Sequence, residues 1–303
     1  MRFLDAAAVA ALGPAAAARA VTDALRGGLD PAADPARTAV GVAQGQILLM
    51  PSAAAWTPAG AAAGVKVATV APGNPARGLP RIHAVHLLFD PVTLAPRAVL
   101  DGTALTTLRT PAVSVAAVAG RLPDRPLRLV LVGAGPQARG HAAALASVRP
   151  VERAVHLVRD PRTAPEGAVA LGTAGAGEVL RSADVVVCAT SARTPVFDSA
   201  LLRDDAVVVA VGSHEPDARE LDAALLARAT VVVEDAATAL REAGDVVLAV
   251  AEGALTVERL VCLRDVVTGA VTPPPDRPLV FKSVGMAWED LVVATAVVAA
   301  RPG

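Results

Sequence analysis

The segment LRLVLV (127–132), followed directly by GAGPQA (133–138), decides the reading of this chain. It has the G-x-G-x-x-A form of a dinucleotide fingerprint, with an apolar strand before it and a predicted helix over 137–147 after it. Gly133 allows the tight turn, and Gly135 lets the backbone approach a pyrophosphate. Pro136 and Gln137 open the helix, whose N-terminus faces the phosphate charge, and Ala138 keeps that helix close to the strand. A glycine pattern alone is weak evidence. Set between a strand and a helix, it predicts a nucleotide site.

Downstream the pattern continues as strand–helix alternation. Val/Leu/Ala runs at 154–158, 184–189, 206–211 and 230–234 have the near-continuous apolar character of parallel strands buried on both faces. The part between 160 and 180 is short and rich in Gly and Ala, so any third strand or helix of the first nucleotide-binding half is reduced there. Pro273-Pro274-Pro275 reads as a linker, and 281–299 begins as a strand and continues as a helix. Upstream, 5–28 reads as two short helices, the first capped by Asp5, the second opened by Pro14 and closed by Gly27-Gly28. Short β runs follow at 45–50, 64–70, 82–89 and 97–100, with a turn at PGNP (72–75). A helix over 103–119 carries Arg109 and has Asp101 or Thr103 near its start; Pro111 either kinks it or marks its first turn.

Composition narrows the class. At 303 residues the chain exceeds the usual single-domain size, so two domains are expected. Aromatic residues make up 2% and there is no Tyr, so alanine and valine fill the core and base stacking has no platform. The net charge of −1 comes from interspersed residues without a basic stripe, which argues against nucleic acid. Cys188 and Cys262 are far apart and lack ligand-like spacing; they read as small buried hydrophobes, which suits a reducing cytoplasm. The Ala-rich N-terminus is interrupted by Asp5 and by Gly13-Pro14, and reads as a helix pair, not a signal peptide. The charge-free stretch 38–65 is punctuated by Pro51, Pro58, glycines and glutamines and does not read as a membrane span.

Several residues are candidates for chemistry. The second strand of the nucleotide half ends in Arg159, with Asp160, Pro161 and Arg162 behind it. Two guanidiniums suit a 2′-phosphate and a carboxylate repels one, which favours NADP over NAD. Asp160 is the counter-evidence, and an ordinary charged loop is the alternative. Lys66, inside the apolar run GVKV (64–67), is either an edge-strand gatekeeper or a functional amine. Arg37 and Arg109 are ordinary surface residues on spacing alone, although arginine is the natural clamp for a carboxylate. His214 lies in VGSHEP (211–216), just past a predicted strand, where ligands bind in such sheets. His83 and His86, three apart on a strand, face opposite sides and make a poor metal pair; no metal site is expected.

Taken together, LLMP (48–51), GVKV (64–67), PGNPARGLP (72–80), LLFD (87–90), DGTALTTLRT (101–110), GAGPQA (133–138), VGSHEPDARELD (211–222), EAGDVV (242–247) and FKSVGMAWED (281–290) resemble the ornithine cyclodeaminase/mu-crystallin family. Their order and approximate spacing are those of the family, over nearly the whole chain. The resemblance implies an α/β protein with a Rossmann dinucleotide-binding domain (113–282) and an α/β substrate-binding and dimerisation domain (1–112 with 283–303), paired as a homodimer. It also implies that Arg37 and Arg109 hold a substrate carboxylate and that Lys66 sits beside the reacting carbon and nitrogen. Gly212, Ser213 and His214 would face the nicotinamide, and Thr190 and Ser191 would line the dinucleotide.

Two departures bear on activity. His214 stands where the cyclodeaminases have an aspartate, and Leu48 stands where they have an acid. A diamino acid brings a second cation whose unpaired burial costs several kcal/mol. The expected activity is therefore NAD(P)H-dependent reduction of a small cyclic imino acid, such as Δ1-pyrroline- or Δ1-piperideine-2-carboxylate, with Lys66 and His214 handling the imine nitrogen. The alternatives are an ornithine cyclodeaminase or related amino-acid dehydrogenase, and a non-catalytic crystallin-like binding protein.

Overall fold

The computed structural model of the chain describes residues 1–57 and 60–301. Pro58, counted above among the residues that interrupt the charge-free stretch, lies outside them. The chain divides into two compact units, Met1–Val113 with Met286–Gly303, and Ser114–Gly285.

The first unit is a six-stranded sheet covered on one face by helices. Its strands are β1 (Arg2–Leu4), β2 (Thr38–Val42), β3 (Gly45–Thr57), β4 (Gly60–Val70), β5 (Ile82–Phe89) and β6 (Pro96–Asp101), in the order β1-β6-β5-β4-β3-β2. Only β1 runs parallel to its neighbour; the rest pair antiparallel. Strand alternation decides which residues face the helices. Leu48, Met50, Ala68 and Val70 turn inward and pack with Ala287 of the C-terminal helix Ala287–Ala299. Helix α1 (Ala6–Ala10) is capped by Asp5, whose carboxylate accepts from Ala8 N at 2.8 Å. In α2 (Pro14–Arg26) the buried Ala17, Val21, Ala24 and Leu25 form one stripe at helical spacing, which packs on the C-terminal helix.

Helix α3 (Gly102–Val118) starts under a cap from Asp101, which accepts from Ala104 N at 2.8 Å. Pro111 stands in its interior, not in its first turn. The β region is larger than the sequence suggests. β2 is an additional edge strand, β3 runs on to Thr57, and β4 starts at Gly60. Pro51 is accommodated because the β2 pairing ends at Leu49, so β3 has no neighbour on that side there.

The second unit is an eight-stranded, wholly parallel sheet. Its strands are β7 (Leu127–Val132), β8 (Val151–Val158), β9 (Val169–Ala170), β10 (Val185–Cys188), β11 (Val207–Ala210), β12 (Thr230–Val233), β13 (Leu260–Cys262) and β14 (Leu279–Lys282), in the order β13-β12-β14-β11-β10-β7-β8-β9. β10, β11 and β14 are buried along their whole length, as strands covered by helices on both faces must be. The helices between strands are α4 (Pro136–Ala146), α5 (Ala174–Ser182), α6 (Ala223–Arg228), α7 (Ala236–Glu242), α8 (Gly244–Ala251) and α9 (Leu263–Thr268). The third strand of the first half, β9, has shrunk to two residues. The order reverses at β7, with β8 on one side and β10 on the other, which is the switch point where ligands bind in open parallel sheets.

Candidate active site

At that switch point a cavity of about 870 Å³ is lined by Gly133, Ala134, Gly135, Arg159, Asp160, Thr190 and Ser191, among others. Gly133 has φ +110°, and a Cβ there would come 2.8 Å from Ala189 O, so only glycine makes this turn. Gly135 caps α4 without a side-chain hydrogen bond, leaving the first N–H groups of that helix for an anion. Ala138 is fully buried against the sheet. This donor set fits a dinucleotide pyrophosphate. Of the guanidiniums assigned to the ribose end, Arg159 stands on the cavity wall. Arg162 is instead turned onto Asp160, with Nε and Nη2 at 2.9 and 2.8 Å from the carboxylate, and is not among the lining residues.

Gly212, Ser213 and His214 also lie outside that lining, past the end of β11. A buried ion set holds this loop and Thr190 together. Glu220 accepts from Thr190 N and Oγ1, both at 2.7 Å, and from Gly212 N at 2.8 Å. Burial pushes the Glu220 carboxyl up. Glu220 N and Leu221 N donate to Asp245 Oδ1 at 2.8 Å, and Asp245 Oδ2 pairs with Lys282 Nζ at 2.9 Å. Lys282 in turn donates to Ser213 O at 2.6 Å.

The first unit carries its own charged cluster. Lys66 lies on β4, between β3 and β5, and is 3% exposed, so the edge-strand gatekeeper reading is overturned. Its Nζ donates to Asp290 Oδ2 at 2.6 Å. Arg109, on α3, pairs through Nη1 with Glu289 and through Nε with Asp290 Oδ1 at 3.3 Å. Both acids sit in the first turn of the C-terminal helix and are fully buried. Burial pulls Lys66 down to about 8, against the pull of Asp290. Burial also raises the Asp290 carboxyl, but the charges of Lys66 and Arg109 outweigh it and hold that group below the usual carboxylate range.

His86 stands directly opposite Lys66 in the β4–β5 register. Burial holds its imidazole neutral, down to about 4, and neither ring nitrogen has a hydrogen-bond partner among the described residues. A Cβ on Gly64 would come 2.7 Å from His86 Nε2, so the ring needs a glycine beside it. Asp34 accepts from Trp288 N at 2.6 Å at the start of the C-terminal helix, and burial pushes its carboxyl up to about 6. Arg37 follows three residues later, half-buried, just before β2.

Lys66 and Arg109 thus share Asp290, and Arg37 lies on the same unit. Missing from the sequence reading as site residues are Asp290, Glu289, Asp34, His86, Glu220, Asp245 and Lys282. For Glu220, Asp245, Lys282, Glu289 and Asp290 the signal was charge inside segments already singled out as motifs; Asp34 and His86 lie outside those segments. Among the described residues no cluster of His, Cys, Asp and Glu suits a metal ion, and no helix is long and apolar enough to cross a membrane. Cys188 and Cys262 are not joined in a disulfide.

A parallel sheet with a phosphate turn at its switch point, together with a separate unit that holds a buried amine and guanidinium, defines a two-unit protein of the Rossmann class. The chain belongs to the ornithine cyclodeaminase/mu-crystallin family, whose family model matches residues 9–300. It is 35% identical over 274 residues to Delta(1)-pyrroline-2-carboxylate reductase 2 of Burkholderia ambifaria, covering 85% of this chain and 81% of that one. It is 34% identical over 271 residues to the ketimine reductase mu-crystallin of Rattus norvegicus, covering 87% and 83%. The Thermococcus litoralis Delta(1)-pyrroline-2-carboxylate reductase, solved in complex with NADH and L-proline, superposes with a TM-score of 0.87 at 29% identity, covering 99% of this chain and 97% of that one. The family and fold inferred from the motifs agree with these findings, and the relatives are reductases of the expected kind.

Proposed function

We propose that this chain is an NAD(P)H-dependent reductase that converts a small cyclic imino acid, of the Δ1-pyrroline-2-carboxylate or Δ1-piperideine-2-carboxylate type, to the amino acid. The observation that carries the reading is the Lys66–Asp290–Arg109 cluster, an ammonium and a guanidinium fixed side by side in a buried site. Arg37 and Arg109 hold the substrate carboxylate, and Lys66 presents its ammonium to the imine nitrogen, polarising it or giving it a proton. His214 is the second proton-handling residue. Gly133, Gly135, Pro136, Gln137, Ala138, Thr190, Ser191, Gly212 and Ser213 hold the dinucleotide. The chemistry supplied by the bound dihydronicotinamide is delivery of a hydride to the imine carbon.

Leu48 supports a reductase over a cyclodeaminase. It is buried among Met50, Ala68, Val70 and Ala287, where a second substrate ammonium would have no counter-ion. Arg159 supports NADP over NAD, since Arg162 neutralises the neighbouring Asp160. The NADH and L-proline held by the Thermococcus enzyme support the substrate class. A homodimer through the first unit is part of the proposal. Val40, Val42, Leu49 and Val85 on its sheet are between 38% and 48% exposed, an apolar surface that a second copy would cover. A cytoplasmic location fits two cysteines that form no disulfide with each other.

The test is turnover of Δ1-piperideine-2-carboxylate with NADPH or NADH, beside ornithine with NAD. Imine-dependent NADPH oxidation without ammonia from ornithine is expected; ammonia release with no imine turnover would overturn the reading. Lys66→Met is expected to lower kcat by roughly a hundredfold or more with cofactor binding retained. Arg159→Ala is expected to raise KM for NADPH about tenfold while sparing NADH, the loss of one charge-assisted contact.

A further inference from the structure

Of the 28 basic residues of the chain, only Lys66 and Lys282 are lysines. Both are buried, at 3% and 1% exposure, and each is paired with an aspartate. Every other cation is arginine, whose charge cannot be removed at physiological pH; a buried ammonium sheds its proton far more readily. Around Lys66 stand Asp290 and Glu289 on the C-terminal helix, Arg109 on α3 and the uncharged His86 on β5, with Asp34 next to Asp290. Arg109 pushes Lys66 toward the neutral amine, as burial does, and Asp290 is the strongest influence against them.

We propose that Asp290 is the positioning residue of this site, which fixes Lys66 Nζ by a direct 2.6 Å contact and keeps it an ammonium in surroundings that would otherwise neutralise it. Its place in the first turn of the C-terminal helix favours the ionised carboxylate. His86 fills the space opposite Lys66 without adding charge, so the field of Asp290 is not contested from β5. Glu289 cannot take over, because it is engaged by Arg109 and by Met286 N at 2.9 Å. The proposal rests on the reading of Lys66 as the amine that meets the imine.

With only two lysines, protein carrying ¹³C at lysine Cε gives two side-chain resonances, assigned by Lys66→Met. Their titration reads each amine directly, independent of turnover. In the wild type the Lys66 midpoint is expected near 8. In Asp290→Asn it is expected to fall by about one to three units, the effect of losing an adjacent opposite charge. The Lys282 resonance, in the second unit, stays in place as an internal reference, and a cooperative thermal unfolding transition reports that the fold is kept. The alkaline limb of kcat/KM moves down in parallel, so activity lost at pH 8 returns as the pH is lowered. An unmoved Lys66 midpoint in Asp290→Asn would overturn the proposal. Should that variant not fold, Asp290→Glu decides: it keeps the charge and should hold the midpoint within about a unit, and a larger fall counts against Asp290. If the midpoint shifts but Lys66→Met retains full reductase activity, the coupling stands and the catalytic reading of Lys66 fails.

Discussion

The methyl group that Gly212 lacks has no room to exist. A Cβ there would lie 2.1 Å from Thr190 O and 2.5 Å from Glu220 Oε1, the acid that ties its loop to Thr190. Backbone atoms on one side and a buried carboxylate on the other cannot yield cheaply. Gly212→Ala is expected to cost about 1–3 kcal/mol and to weaken dinucleotide binding at least several-fold, read by thermal unfolding and by cofactor titration. Wild-type melting and binding in this variant would show that the loop is looser than it looks. Residues of this kind were visible in the sequence because glycines at a strand end have a local meaning. Asp290 was not. Its partner Lys66 is 224 positions away, and no spacing rule connects a lysine in one strand to an acid in the last helix. For the same reason the sequence left open whether Lys66 guards an edge; only the neighbours of β4 decide that.

The elements that were misjudged share a composition. β2 (TAVGV) is exposed along its whole length and shows no inward–outward alternation, and the extra lengths of β3 and β4 are alanine-rich, with weak strand preference of their own. Pairing with neighbours makes them strands. Valine-rich β10, β11 and β12, by contrast, fell within a residue or two of their expected places. The C-terminal helix shows how a distant residue completes an element. Glu289 of its first turn accepts from Met286 N, and Asp34, from the loop before β2, accepts from Trp288 N. Asp34→Ala is expected to destabilise the first unit by about 1 kcal/mol, with Asp34→Asn milder because the amide oxygen still accepts. Chemical denaturation of the two variants checks this; equal stability of Asp34→Ala and wild type would remove Asp34 as a cap.

For the whole molecule, the buried histidines set its response to acid. Burial holds His86, in the first unit, and His141, in the second, near 4 instead of 6.5. Below about pH 6.5 the unfolded chain binds protons that the folded one refuses, so stability falls, by up to roughly 3 kcal/mol per histidine at pH 4. Asp34 has the opposite sign. Raised to about 6, it takes its proton in the folded state first, so acidification returns most of what His86 loses in the first unit. In the second unit Glu220, whose carboxyl burial also pushes up, acts against the loss from His141 in the same sense. In a His141→Gln variant β10 and β11 are therefore expected to lose less hydrogen-exchange protection between pH 7 and pH 5 than in the wild type; equal losses would refute this account.

The confinement of lysine to two interior positions also makes the protein its own reporter. An acylating reagent that seeks amines finds, apart from the chain terminus, nothing to attack on the folded surface. Lys66, which meets its substrate in the folded protein, is reached only through the substrate site, and Lys282 only while the second unit is open. The rates at which the two peptides gain mass would separate access to the substrate site from opening of the second unit, in a single unmodified sample.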